Sequence, residues 1–119
     1  MNLEKNNLTK IFLIGQSGSG KTTLGKKLSN KLKFDFLDTD EYITNELTLS
    51  ISEIFNTKGE LFFRNEEKKL LIKLKNQINI VVSTGGGLPE INDAFDLMQN
   101  NGLVIWITVS YTHLTLPTI

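Results

Sequence analysis

Lys10-Ile11-Phe12-Leu13-Ile14 runs straight into Gly15-Gln16-Ser17-Gly18-Ser19-Gly20-Lys21-Thr22-Thr23, and this stretch decides the fold. The apolar run closed by Gly15 reads as a strand, 10–14, buried on both faces of a parallel sheet. The next nine residues fit G-x-x-x-x-G-K-[ST], a loop whose backbone N–H groups turn inward around phosphate oxygens. Behind it, Leu24, Leu28 and Leu32 recur every four residues among lysines, so 21–33 is an amphipathic helix carrying a leucine stripe. Strand, glycine loop and helix in that order are the context the motif requires. The helix start adds its positive dipole end, Lys21 reaches the β and γ phosphates, and the Thr22 hydroxyl faces Mg²⁺. Gly15, Gly18, Ser19, Gly20, Lys21, Thr22 and Thr23 are therefore the expected ATP-binding residues, with Lys21 also catalytic.

Working outward, Phe34 to Leu37 reads as a second strand ending at Asp38, and 40–47 as helical. Ser50 caps a short helix carrying Ile51, Ile54 and Phe55, and Gly59 to Gln77 holds a longer amphipathic helix. Ile78 to Val82 is a third strand, followed by Gly85-Gly86-Gly87 and a helix starting at Glu90. Asn100-Asn101-Gly102 stops that helix, and Leu103 to Thr108 is a fourth strand. Alternating strands and helices call for an α/β fold with right-handed crossovers and ligands beyond the carboxyl ends of the strands. The loops at Gly15, Asp38 and Ser83 each follow a strand, so they converge on one edge of the sheet.

Those loops carry the remaining candidate chemistry. Asp38 and Asp40, at i and i+2 in an extended segment, point the same way. One of them can hold a metal's water shell and the other accept a proton from a substrate hydroxyl; the same residues also suit a helix N-terminus. Arg64 and Glu67 are i, i+3 neighbours on a helix, so Glu67 can brace the guanidinium while its fork receives a planar carboxylate. Such spacing more commonly marks a surface ion pair, but Phe62 and Phe63 beside Arg64 imply a partly buried setting. Ser83-Thr84-Gly85-Gly86-Gly87 lets a substrate lie close against main-chain N–H groups. Phe55 and Phe63 wall an apolar side of the same pocket or, more simply, pack in the core.

Composition bounds the rest. The chain has 119 residues, 13 basic against 13 acidic side chains, 39% hydrophobic content and no cysteine. This is the profile of one soluble domain without disulfides or thiolate metal sites. Balanced charge without like-charge runs offers no footprint for nucleic acid or anionic membrane. No apolar stretch suits a bilayer span or a signal peptide, so a cytoplasmic protein is expected. Lysine supplies twelve of the basic residues and arginine one, Arg64. His113 is isolated and is expected to have no catalytic role.

Taken in order, the phosphate loop, Phe36-Leu37-Asp38-Thr39-Asp40, Ile54 to Glu67 (I-F-x-x-x-G-E-x-x-F-R-x-x-E) and Ser83 to Gly87 (S-x-G-G-G) resemble the shikimate kinase family. The resemblance spans roughly residues 10 to 108. It implies a P-loop NTPase-type three-layer α/β/α fold with a parallel sheet. It also implies ATP- and Mg²⁺-dependent phosphorylation of the shikimate 3-hydroxyl in aromatic amino acid biosynthesis, by a monomer. By that resemblance Thr22 coordinates Mg²⁺ directly and Asp38 through water. Asp40 binds the ring hydroxyls and is the catalytic base, and Arg64 holds the shikimate carboxylate. Gly85, Gly86 and Gly87 border the ring, with Gly86 donating its backbone N–H, while Glu67, Ser83, Phe55 and Phe63 support the site.

Family members continue past this point with a lid arginine, a last strand, a second carboxylate-binding arginine and an adenine loop. The expectation is therefore an incomplete kinase domain over 1–108 with little turnover. Residues 109–119, Val109 to Ile119, show no helical pattern and read like the in-frame translation of a transposase sequencing adapter, so they are expected to be non-native. Two other readings stay open on the residues alone. A gluconate kinase would need a different carboxylate anchor from Asp40 plus Arg64, and a non-catalytic nucleotide-binding module would bind nucleotide without responding to shikimate.

Overall fold

Four strands, β1 (Lys10–Ile14), β2 (Asp35–Asp38), β3 (Ile80–Ser83) and β4 (Leu103–Trp106), pair in the order β2-β3-β1-β4, all parallel. They come from a computed structural model that describes residues 9–16, 19–87 and 93–108. Five helices connect or flank them: α1 (Lys21–Leu32), α2 (Thr39–Leu47), α3 (Ile51–Thr57), α4 (Glu60–Lys73, continued by a 3₁₀ turn over Leu74–Asn76) and α5 (Ala94–Asn101).

The two-residue period of the central strand divides the interior. Ile11 and Leu13 join Val81 beneath Leu28 of α1. Phe12 and Ile14 turn the other way, into a larger cluster with Val82, Ile43, Ile54, Phe63, Leu70 and Met98 from the four remaining helices. The result is the α/β/α sandwich expected from the sequence. Because the strands are parallel, β1, β2 and β3 all deliver their carboxyl ends, Ile14, Asp38 and Ser83, to one edge.

Local chemistry sets the element ends. Ser50 and Glu53 form a reciprocal capping box that starts α3, worth about 1 kcal/mol. Several boundaries differ from the sequence reading. The third strand starts at Ile80 because Asn79 is left-handed at φ 56° and Ile78 is exposed. The last helix begins at Ala94, after a left-handed Asp93, and Glu90 lies outside the described residues. On α1 the buried face is Lys21, Gly25 and Ser29, whereas Leu24 and Leu32 are exposed. Of the leucine stripe only Leu28 packs inward, and the buried face lies one position on, because small residues let this helix lie close on the sheet. A Cβ at Gly25 would stand 2.5 Å from the Phe36 ring and 3.2 Å from Leu13.

Candidate active site

The turn after β1 brings the chain to Gly20, the left-handed N-cap of α1, which makes no side-chain cap. The first N–H groups of α1 are therefore left for an external acceptor, at the positive end of the helix dipole. Lys21 folds back over the loop, its Nζ donating to the carbonyl oxygens of Gly15 and, at 3.0 Å, Gln16. Burial lowers its pKa, with Asp40 and Asp38 pulling the other way. Gly18 lies outside the described residues.

β2 hands over directly to α2, and the two aspartates part there. Asp38 is the N-cap: its Oδ1 accepts from the Glu41 N–H and its Oδ2 accepts from the Thr22 hydroxyl, both at 3.1 Å. Asp40 sits in the first turn of α2, so the shared direction expected from an extended segment is replaced by a helical offset. The cap reading and the site reading of Asp38 hold together, because one oxygen serves each. Asp40 Oδ1 is buried and, among the described residues, accepts no hydrogen bond. Burial, then the Asp38 carboxylate, raise its pKa against the pull of Arg64 and Lys21.

α4 carries the cationic part. Arg64 Nη1 donates to Glu67 Oε1 at 2.8 Å, while its Nε and Nη2 make long contacts, 3.4 and 3.3 Å, to Glu60. Phe55 and Phe63 meet edge to face with centroids 5.4 Å apart. The guanidinium lies 6.0 and 5.5 Å from their rings, so both phenylalanines floor Arg64 while also packing in the core. Glu67 is fully buried, and burial pushes its pKa up to about 7 although the Arg64 hydrogen bond and charge oppose it. Arg64 itself loses stabilisation by burial, but its bonds to Glu67 and Glu60 outweigh that and raise its pKa, so it stays charged.

The glycine loop after β3 closes over both groups. A Cβ at Gly85 would stand 2.4 Å from Asp40 Oδ1, and one at Gly87 would stand 2.5 Å from Arg64 Nη2. A side chain at either position would force the carboxylate or the guanidinium to give way. Ser83 and Thr84 are buried beneath, and the cleft, about 310 Å³, is lined by Gly20, Lys21, Thr22, Thr23, Asp38, Asp40 and Ser83 to Gly86. A second groove of about 160 Å³ between α2 and α4, lined by Tyr42, Glu46, Glu66, Lys69 and Lys73 among others, receives none of the strand-end loops. Those loops meet at the first.

The donor set suits a hard divalent cation that keeps most of its water. Thr22 and Asp38 offer two oxygens side by side, and the described residues contain no cluster of three or more acidic, His or Cys ligands. Mg²⁺ bound with nucleotide needs few protein ligands, since phosphates and water complete its shell.

A phosphate-binding loop ahead of a helix, on the edge of a parallel sheet and opposite an acidic pair, defines a P-loop kinase-type α/β domain. The family model described as shikimate kinase matches residues 17–116; the chain belongs to the shikimate kinase family. A shikimate kinase from a Sulfurihydrogenibium species is 44% identical over 103 residues, which cover 87% of this chain and 62% of that protein. The solved shikimate kinase of Aquifex aeolicus superposes with TM-score 0.82 at 39% identity, covering 88% of this chain and 62% of the other. That of Acinetobacter baumannii, solved in complex with shikimate, gives 0.84 at 31%, covering 92% and 62%. A gluconokinase from Sinorhizobium meliloti shares the fold alone, at 14% identity and TM-score 0.52, so the gluconate alternative is not favoured. The chain spans about three fifths of the length of the relatives it matches.

Two contributors escaped the sequence reading. Glu60, on the Nε edge of Arg64, could have been found from its i, i+4 spacing. Thr39, whose Oγ1 accepts the Gly85 N–H, had no such signal, because its partner lies 46 residues away. Among the described residues no helix is long and apolar enough to cross a membrane.

Proposed function

We infer that the protein of which this chain is a part transfers the γ-phosphate of ATP to the 3-hydroxyl of shikimate. The carrying observation is that one glycine loop closes over an unpaired buried carboxylate oxygen at Gly85 and a partly buried guanidinium at Gly87. A carboxylated polyol needs that pair: one cation for its carboxylate and one acceptor for its hydroxyls. The A. baumannii relative solved with shikimate supports the same substrate.

Phosphoryl transfer depends on in-line positioning and on neutralising charge more than on covalent chemistry. The start of α1 and Lys21 hold the phosphates. Thr22 and Asp38 would hold Mg²⁺, which would supply positive charge against the phosphates. Asp40 accepts the proton of the 3-hydroxyl as that oxygen attacks the γ-phosphorus and the bond to the β,γ-bridging oxygen breaks, releasing ADP. Its raised pKa brings it nearer neutrality, as a general base requires. Arg64 fixes the ring through the carboxylate, with Glu67 fixing Arg64. In this reading the enzyme is a cytoplasmic monomer, which light scattering checks for the oligomeric state.

The test is shikimate-dependent ADP release by a chain spanning the full length of its relatives. Arg64→Ala should raise the shikimate KM about 30-fold or more while leaving ATP binding intact, and Arg64→Lys should not rescue it. Full shikimate dependence in Arg64→Ala would remove Arg64 as the anchor. Nucleotide binding with no response to shikimate would instead favour the non-catalytic module.

A further inference from the structure

Thr39 stands between the two aspartates and has no role in the reading above. Asp38 already caps α2, so the Thr39 hydroxyl is free for another partner. It is fully buried, and its Oγ1 accepts the Gly85 N–H at 3.0 Å. The preceding peptide is pinned as well: the N–H and the hydroxyl of Thr84 both donate to the Leu13 carbonyl oxygen at 3.0 Å. Gly85 is thereby tied to β1 through its neighbour and to α2 through Thr39, and pressed against Asp40. A buried N–H left without its acceptor is strongly disfavoured, so losing the Thr39 oxygen would push the loop toward water. Gly86, on the cleft, and Gly87, against Arg64, would move with it.

We propose that Thr39 is a positioning residue whose hydroxyl sets the spacing between Asp40 and the Gly85–Gly87 loop, and so the affinity of the hydroxyl-binding half of the site. The proposal rests on the reading that Asp40 and that loop, in contact with each other, together face shikimate. The polarity is specific: an oxygen that accepts is needed, and the methyl group is secondary.

Thr39→Val removes the acceptor at nearly constant volume, and Thr39→Ser keeps it while dropping a methyl. In the isotope-labelled 119-residue chain, Thr39→Val should speed exchange of the Gly85 amide about tenfold or more. The shikimate Kd from chemical-shift titration should weaken about 5- to 10-fold, with ATP affinity within about twofold of wild type. Thr39→Ser should stay within about twofold on all three measures. Thr39→Ser behaving like Thr39→Val, or Thr39→Val leaving both the Gly85 amide and shikimate affinity unchanged, overturns the proposal and leaves the proposed function standing. If Thr39→Val does not fold, Thr39→Ala against Thr39→Ser makes the same comparison. No shikimate binding by a chain spanning the full length of the relatives overturns the functional reading itself, and the Gly85 amide then decides the positioning role alone.

Discussion

The two halves of the cleft are built on different principles. The phosphate half is made mainly of main chain and a helix end, with the Lys21 side chain folded back on the loop, Thr22 and Thr23 exposed, and Gly20 at the cap. The acceptor half is made of side chains held in the interior: Glu67 fully buried, the Arg64 side chain only 20% exposed, and Asp40 Oδ1 without a partner. Main chain can bind phosphate for any fold that presents it, whereas recognition of one polyol depends on packing far from the loop. The halves should therefore fail separately.

The largest separation is expected from Asp40→Asn, which keeps the shape of α2 and removes the proposed base. Turnover should fall about 10²- to 10⁴-fold with ATP affinity unchanged by calorimetry; a comparable loss of ATP binding would show that the halves are not independent. Next is Gly85→Ala, whose new methyl would press on Asp40 Oδ1. A displacement of that kind should lower kcat/KM for shikimate about 10- to 100-fold and leave KM for ATP alone.

Glu67 sharpens the contrast through pH. Its folded pKa of about 7 lies above its ordinary 4.5, so the native state holds the proton more tightly than the unfolded chain. Below 4.5 both states are protonated and burial carries no ionisation penalty. Between 4.5 and 7 the unfolded chain ionises first and stability falls, and above 7 the full penalty remains. Thermal melts should show wild type losing stability relative to Glu67→Gln across that window; parallel curves would remove the buried acid from the account. The smallest effect is expected from Glu60→Gln. Glu60 contacts the same guanidinium from solvent at 3.3 Å, and a melt should shift by less than about 1 kcal/mol.

This contrast also explains what could be read from the residues. The phosphate half was legible because its determinants are contiguous: strand, loop and helix follow one another from Lys10 to Leu32. The parallel α/β layering follows from alternation, and the Arg64–Glu67 pair from helical spacing. Burial was harder. Leu24 and Leu32 look like core residues by periodicity, yet Gly25 and Ser29 face the sheet, since close packing selects small side chains there. Asp40 was assigned the geometry of a strand because the helix starts one residue after Asp38, a boundary that capping chemistry sets only within a residue or two. The contact of Thr39 with Gly85 joins positions far apart in the chain, and no local pattern encodes it.

Trp106 is the single tryptophan of the chain and is 71% exposed. It pairs in register with Ile14, and the next residue, Ile107, donates its N–H to the Ile14 carbonyl oxygen at 2.7 Å. The indole therefore hangs from the edge strand one position away from where the phosphate loop begins. The molecule carries its own optical reporter, label-free and set beside the strand end that leads into the phosphate loop: nucleotide arrival should alter its fluorescence, and shikimate alone should leave the emission nearly unchanged.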